Sequence, residues 1–402
     1  MSSPPPARHP RTWLTPSIFA IGLASLLSDA CYELIIPLLP ALVTSLGGGS
    51  LALGTIEGLA DGLAAAFKLW GGSIADYTKR RRALTAGGYL GVGLFMPAIG
   101  FAASIVSVAL LRAAAWICRG FRSPIRDTLL VDDTDPRYVN RAFGFQRALD
   151  TIGAVIGPAL AIALIAAHMP VRKVILFGFI PGILAGAMYL WVRERPRTLA
   201  PREPLHIALA GLPARFKQYL LGAGVFGVGN FSATLLVLVA MHAFTPIAGP
   251  VKATAIATAL YLSHNVLYAA AAFPASVLSE RFGSGRLLLL AFLLFAAVGA
   301  IVAVASQSPS AVVVAFVLAA LGIAILDPME STFATEMLPA ARRGTGFGAL
   351  AAVNGVGDLL SSAGVGAAWQ LFGPVVAFGG SALLCVAGTL ILAPLALKVK
   401  KG

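Results

Sequence analysis

RAFGFQRALDTIG (residues 141–153) and RGTGFGALAAVNG (residues 343–355) read as two copies of one pattern. Arg141, Gly144, Phe145 and Gly153 of the first match Arg343, Gly346, Phe347 and Gly355 of the second. The two stretches start about half a chain length apart, so the chain reads as two related halves.

The background of that repeat decides what kind of halves they are. Hydrophobic residues make up 58% of the chain and charged residues 12%, with a mean hydropathy of +0.85. A soluble domain does not have this balance. A bilayer core needs about 20 apolar residues per helix, and twelve such runs can be placed, at roughly 16–43, 51–75, 83–102, 104–127, 142–166, 173–192, 218–241, 253–279, 286–305, 310–330, 344–368 and 374–397. The runs are too long for barrel strands, and unpaired backbone groups are too costly in lipid, so the expected fold is an all-α membrane protein. The stretch 193–217, RERPRTLAPREPLHIALAGLPARFK, is the longest polar segment and divides the spans six and six. The expected organisation is a disordered cytoplasmic tail at 1–15, bundles at 16–192 and 218–397, a cytoplasmic linker at 193–217 and a second tail at 398–402. Two six-helix bundles related by pseudo-symmetry imply a transporter with its substrate path between them.

The net charge of +13 is placed by topology and does not point to nucleic acid. Lys79 to Arg82, Arg193 to Arg202, Arg342-Arg343 and Lys398 to Lys401 all fall on one side of the expected spans, while Arg172, Lys173 and Lys252 fall on the other. That alternation puts both termini in the cytoplasm and the protein, multi-pass, in the inner membrane. No small-residue cleavage site follows the first apolar run, which reads as an uncleaved helix. Cys31, Cys118 and Cys385 are scattered among the spans and read as small buried hydrophobes.

Residues 72–84, GSIADYTKRRRAL, resemble motif A of the major facilitator superfamily, with Gly72, Asp76, Arg80 and Arg81 in place and Tyr77 and Lys79 departing from it. A degraded copy, SVLSERFGSGR, carries Glu280, Arg281 and Gly283 in the second half. Residues 153–158, GAVIGP, are similar to the antiporter motif C of that superfamily through Gly153, Gly157 and Pro158. Arg112 falls where motif B has its arginine, with Trp116 replacing the motif's glycine. The resemblance covers residues from about 16 to about 397 and implies a monomer working by alternating access. Motif C implies efflux by antiport. Physically, a carboxylate and cations at a helix–loop junction suit a gate latch, and the motif A glycine permits close helix contact. Gly153 and Gly157 form a small-xxx-small face, and Pro158 can bend its helix.

Ionisable residues inside a membrane are functional candidates, because each costs about 2.5–3.5 kcal/mol on insertion scales. Asp29 and Glu33 share one face of the first span, and Glu57 and Asp61 one face of the second. With Arg112 they are expected to meet near the midplane as the proton-coupling set, since crowding and burial favour the protonated form of a carboxyl group. Lys68, Arg119, Arg122, Arg126, Asp127, Arg147 and Asp150 lie on the same side as the basic loops, where several are expected to snorkel; Lys68 and Asp150 lie deeper and are a candidate pair. The second half offers Asn230, Tyr261, His264, Asn265, Tyr268, Asn354 and Asp358 as substrate contacts, with Ser232, Thr234, Asp327 and Glu330 beside them. His264 and Tyr268 share a face.

No Walker-type phosphate loop, nucleophile–base motif or HExxH occurs, so the chain reads as neither an enzyme nor an ATP-driven pump. The expectation is proton-coupled efflux of a small molecule, with the proton gradient as energy source and no cofactor. One alternative is a divalent metal or metalloid exporter using the carboxylates with Cys31 and His264, although no ligand spacing marks a metal site. Another is a transporter of a small metabolite, including siderophore-like anions, leaning on Arg112 and Lys68. A membrane scaffold without transport has no use for so many buried charges.

Overall fold

The computed structural model describes residues 14–135, 139–194, 211–338 and 343–397. Most of the two expected tails and of the linker therefore lies outside the described residues, as do the side chains of Asp76, Arg141, Glu280 and Arg343.

Every regular element among the described residues is helical. The first half comprises α1 (Pro16–Ile35), α2 (Leu39–Ser45), α3 (Ser50–Tyr77), α4 (Arg81–Ala98), α5 (Ile105–Asp133), α6 (Val139–Ala166), α7 (Val171–Phe177) and α8 (Phe179–Ala187). The second comprises α9 (Ala214–Gly229), α10 (Ala233–Ala248), α11 (Pro250–Phe282), α12 (Ser284–Ala305), α13 (Pro309–Met337), α14 (Arg343–Phe372) and α15 (Pro374–Ala396). With α1 and α2, α7 and α8, and α9 and α10 each forming one run, these are twelve passes. Ten are long and apolar enough to cross a membrane by length and composition. The other two, α5 and α14, are as long but carry more polar residues, and they hold Arg112, Arg119 and Arg122 and Asn354 and Asp358, respectively.

Three expected spans are not continuous. The first bends at Ile36–Leu38, where Pro37 and Pro40 remove backbone donors. The sixth tightens at Gly178, because Pro181 has no N–H for the Phe177 carbonyl. The seventh breaks outright over residues 230–232. There the Asn230 N–H closes α9 on the Phe226 and Gly227 carbonyls, at 3.0 and 3.1 Å. Ser232, extended at ψ 145°, starts α10. The break is held from outside: Ser381 of α15 donates its hydroxyl to the Gly229 carbonyl, and Ser361 of α14 donates to that of Asn230 at 2.8 Å.

Within the first bundle α1 packs on α6, α4 and α8, and α5 on α3 and α4. Within the second, α12 packs on α13 and α15, and α9 on α14 and α15. Between bundles run two seams, α3 against α14 and α6 against α11. The α3–α14 seam is made of touching backbones. A Cβ on Gly54 would sit 2.1 Å from the Ser362 carbonyl oxygen, and the Ser50 hydroxyl donates to the Gly366 carbonyl at 3.1 Å. These residues lie in the half of the seam away from the side that carries Pro16 and Ala396. That half is shut. Toward the other side, Lys68, Arg147 and Asp327 are exposed.

Candidate functional site

Two i, i+4 pairs on facing helices build the core of the first bundle. Glu57 and Asp61 project from α3 toward Arg112 and Trp116 of α5. Arg112 is 1% exposed and Glu57 3%. The guanidinium grips the carboxylate with Nε to Oε1 at 3.2 Å and Nη2 to Oε2 at 2.8 Å. A bidentate charge-assisted pair of this kind is what keeps both charges tolerable in a low-dielectric interior. The other face of the guanidinium lies on the Trp116 ring, 3.2 Å from its centroid. The indole N–H of Trp116 donates to Asp61 Oδ1 at 2.7 Å. The tryptophan that replaces the motif B glycine is thus the link between Arg112 and Asp61.

The five expected coupling residues fall into two hydrogen-bonded groups, with Arg112 and Arg119 as charged neighbours of both Asp61 and Glu33. Asp29 and Glu33 belong to a second group on α1. Glu33 reaches across to the other bundle, where the Tyr261 hydroxyl donates to Oε2 at 2.8 Å and the Asn265 amide at 3.3 Å. The same amide donates to the Ala154 carbonyl of α6 at 3.1 Å, so Asn265 ties α11 to both α1 and α6. Asp29 is buried, with Asp150, Arg119 and Glu33 as charged neighbours. Gly153 and Gly157 hold α6 against this part of α1: a Cβ on Gly153 would lie 2.3 Å from the Leu26 carbonyl, and one on Gly157 2.6 Å from the Leu34 nitrogen. Pro158 lies inside the same helix. The GAVIGP stretch is therefore the seat of the helix that carries Asp29 and Glu33.

Arg119 and Arg122, of the set in which several are expected to snorkel, turn inward, where Tyr32 of α1 and Tyr89 of α4 receive them. Arg119 donates to the Tyr32 hydroxyl at 3.3 Å and lies 5.1 Å from the Trp116 centroid. Arg122 is buried flat on Tyr89, 3.4 Å from its centroid, and donates to Ser28 at 3.0 Å. The expected Lys68–Asp150 pair is not formed: Asp150 is met by Gln146 at 3.3 Å and Arg147 at 3.9 Å, and Lys68 has Asp127 as its acidic neighbour.

A cavity of about 180 Å³ opens where the broken span meets the first bundle. Asn230, Phe231, Ser232 and Ala233 of the break line it, with Asp61 of α3, His264 of α11, Phe295 of α12, Phe316 of α13, and Asp358 of α14. Of the seven expected substrate residues, Asn230, His264 and Asp358 reach it. Tyr261 and Asn265 are occupied by Glu33, Tyr268 donates to Asp327 at 2.9 Å, and Asn354 to Glu330 at 2.7 Å. His264 and Tyr268 do not act together: His264 stacks on Tyr261, with centroids 6.1 Å apart, and bonds Asn265 through Nδ1 at 3.2 Å. The aromatic walls, and Tyr32 under Arg119, were not singled out from sequence; phenylalanines beside polar positions of otherwise aliphatic spans were the available signal.

At the basic loop, Arg81 pairs with Asp132, and its N–H donates to Glu194 at the start of the linker at 2.7 Å, so neither contact reaches the second bundle. Arg80 is exposed. Gly72 is not the close contact expected, since a Cβ there would sit 3.7 Å from Pro124; Gly71 is, at 2.2 Å from the Phe121 carbonyl.

Two six-pass bundles enclosing a largely apolar cavity with a few polar groups at a broken helix define a multi-pass membrane transporter. A family model described as the Major Facilitator Superfamily matches residues 21–263 and 221–402, and the chain belongs to that superfamily. It is 26% identical over 380 residues to the uncharacterized MFS-type transporter MJ1317 of Methanocaldococcus jannaschii, covering 94% of this chain and 95% of that one. It is 27% identical over 252 residues to the multidrug resistance protein MdtG of Salmonella arizonae, covering 60% of this chain and 59% of the relative. Among solved structures, the nucleoside transporter NupG superposes with a TM-score of 0.76 at 12% identity, covering 96% of this chain and all of that one. An inward-facing bacterial homolog of the lysosomal transporter Spinster gives 0.70 at 18%, covering 96% of each.

Proposed function

We propose that the protein is a proton-coupled exporter of a small molecule, working by alternating access as a monomer in the inner membrane, with both termini cytoplasmic. The placement of Asp61 carries this reading. Its carboxylate lines the cavity and also accepts the Trp116 N–H, one ring away from the Glu57–Arg112 pair. A group in both places can be occupied by a proton or by substrate, and that competition is what couples the two. In the proposed cycle Asp61 takes a proton from outside when the α3–α14 seam is open. It gives the proton up inward, and the vacated carboxylate then receives substrate. Asp29 and Glu33 serve the same cycle through α1: Glu33 holds Tyr261 and Asn265 while the outer half is shut. Export is supported by the GAVIGP resemblance and by MdtG, and the cytoplasmic placement by the one-sided Lys and Arg loops.

The two alternatives draw less support from the cavity. An anion carrier needs free cations at the cavity, but Arg112 is committed to Glu57 and no Lys or Arg lines it among the described residues. A metal exporter needs converging ligands, whereas Cys31 packs beside Gly182 of α8. No three His, Cys, Asp or Glu side chains converge among the described residues.

The test is growth of an efflux-deficient bacterium expressing the chain, against a panel of organic cations, organic acids, divalent metals and metalloids, with Asp61→Asn beside the parent. Protection that disappears in Asp61→Asn is expected. Normal membrane insertion with no protection against any compound sinks the export reading.

A further inference from the structure

The charge and shape of the inter-bundle cavity specify more than a small molecule. Asp61 has one hydrogen-bond donor, Trp116, and of its two cationic neighbours Arg112 is paired with Glu57 while Arg119 lies against Tyr32. Asp358 has no donor to its carboxylate among the described residues, and its charged neighbours are Asp61, Glu330 and Asp327, all acidic. Glu330 is met by Asn354, while Asp327 is met by Tyr268 and has Arg147 as its one cationic neighbour. The cavity is thus lined by two carboxylates from opposite bundles and, among the described residues, by no Lys or Arg. The start of α10 at Ser232 and Ala233 adds a helix N-terminus, worth about half a positive charge. That is too little to balance two ionised carboxylates, so an arriving cation is what lets both carry their charge at once.

The remaining wall is aromatic. Phe231, Phe295 and Phe316 come from the break, α12 and α13. Ring faces attract a cation within about 6 Å of their centroids. Size sets the last limit: an apolar cavity of about 150 Å³ holds a benzene molecule, so about 180 Å³ holds one ring with a small head group.

We infer that this cavity takes a monovalent organic cation bearing a single aromatic ring, its ammonium head held between Asp358 and Asp61 and its ring against Phe231, Phe295 and Phe316. The inference rests on the small-molecule reading above and names its substrate class. Asp358 is the substrate anchor. Asp61 shares the head group and carries the proton. A bound cation bridges the bundles at the seam that must open.

The test uses the full chain purified in detergent and radiolabelled benzyltrimethylammonium, a permanent cation that cannot itself bring a proton. Saturable binding is expected. Unlabelled phenylacetate and benzyl alcohol, the anionic and neutral probes, should fail to compete. Asp358→Asn should weaken binding at least tenfold, Asp358→Glu should keep it within about threefold, and Phe316→Leu should weaken it several-fold, all three with the parent's melting profile. Competition by phenylacetate, or undiminished binding in a folded Asp358→Asn protein, overturns the inference. The proton-coupled reading is tested apart from it, in proteoliposomes with an imposed pH gradient. Cation binding without gradient-driven movement leaves the site standing and removes the coupling. Gradient-driven movement of another compound, with no cation binding, does the reverse.

Discussion

The two bundles descend from one pattern yet handle buried charge in opposite ways. The first answers charge with charge or with rings: Arg112 holds Glu57, Arg81 holds Asp132, and Arg119 and Arg122 lie against Tyr32 and Tyr89. The second carries its cations Arg215, Lys217, Lys252, Arg281 and Arg286 near helix ends and answers its interior carboxylates with neutral donors, Tyr268 on Asp327 and Asn354 on Glu330, or, among the described residues, with none at Asp358. Paired charges brace a scaffold, because removing either partner strands the other in a low-dielectric interior. Neutral partners leave the negative charge in place for something that arrives. The comparison teaches that bracing ion pairs gather in the first bundle, while the second leaves a carboxylate open toward the cavity.

If that division is right, variants in the first bundle cost stability and variants at the cavity of the second do not. Arg112→Ala leaves Glu57 buried without its partner and should destabilise by about 3–5 kcal/mol, read as a lowered midpoint of thermal unfolding in detergent. Combining Arg112→Met with Glu57→Gln should recover most of that loss, and a double variant as unstable as the single one breaks the comparison. Next comes the seam, where Gly54→Leu drives a side chain into the Ser362 carbonyl. A cost of about 2–3 kcal/mol is expected. Cysteines placed on the outer half of α14 should also label faster, since the shut half is forced apart. Trp116→Phe keeps a ring under Arg112 but removes the donor to Asp61, and about 1.5 kcal/mol should be lost. Export should fall more than the melting point suggests, and an unchanged export rate removes the link between Asp61 and the pair behind it. Smallest is Asp358→Asn. Taking away a carboxylate with no protein partner should leave the melting point within about 0.5 kcal/mol of the parent, or raise it, while binding is lost. A destabilisation like that of Arg112→Ala would put Asp358 among the bracing charges.

Much of this was legible in the residues. Twelve apolar runs and their division six and six follow from hydropathy, because lipid admits little else. The facing of Glu57 and Asp61 follows from helical spacing alone, and so does the interest of Arg112. The partners were not legible where they come from far along the chain. Glu33 meets Tyr261 and Asn265 in the other half, and periodicity on α1 says nothing of α11. Arg119 and Arg122 sit at a depth where snorkelling is the ordinary outcome; only the arrival of Tyr32 and Tyr89 makes the interior the better place. The break over 230–232 was hidden because hydropathy averages across three residues, although Gly229, Asn230 and Ser232 are an end, a cap and a start when read singly.

The shut half of the α3–α14 seam has one further consequence. Where Gly54 and Gly366 let two backbones touch, the contact among the described residues has no titratable group in it, and Gln370 against Gly49 is a long but uncharged side chain at its end. Its strength comes from surface fit, so acidity, ionic strength and membrane voltage have no handle on it. Environmental sensitivity is left to the few carboxylates at mid-depth, and a mutation in the glycine seam should shift how often the outer side opens without changing what the opening responds to.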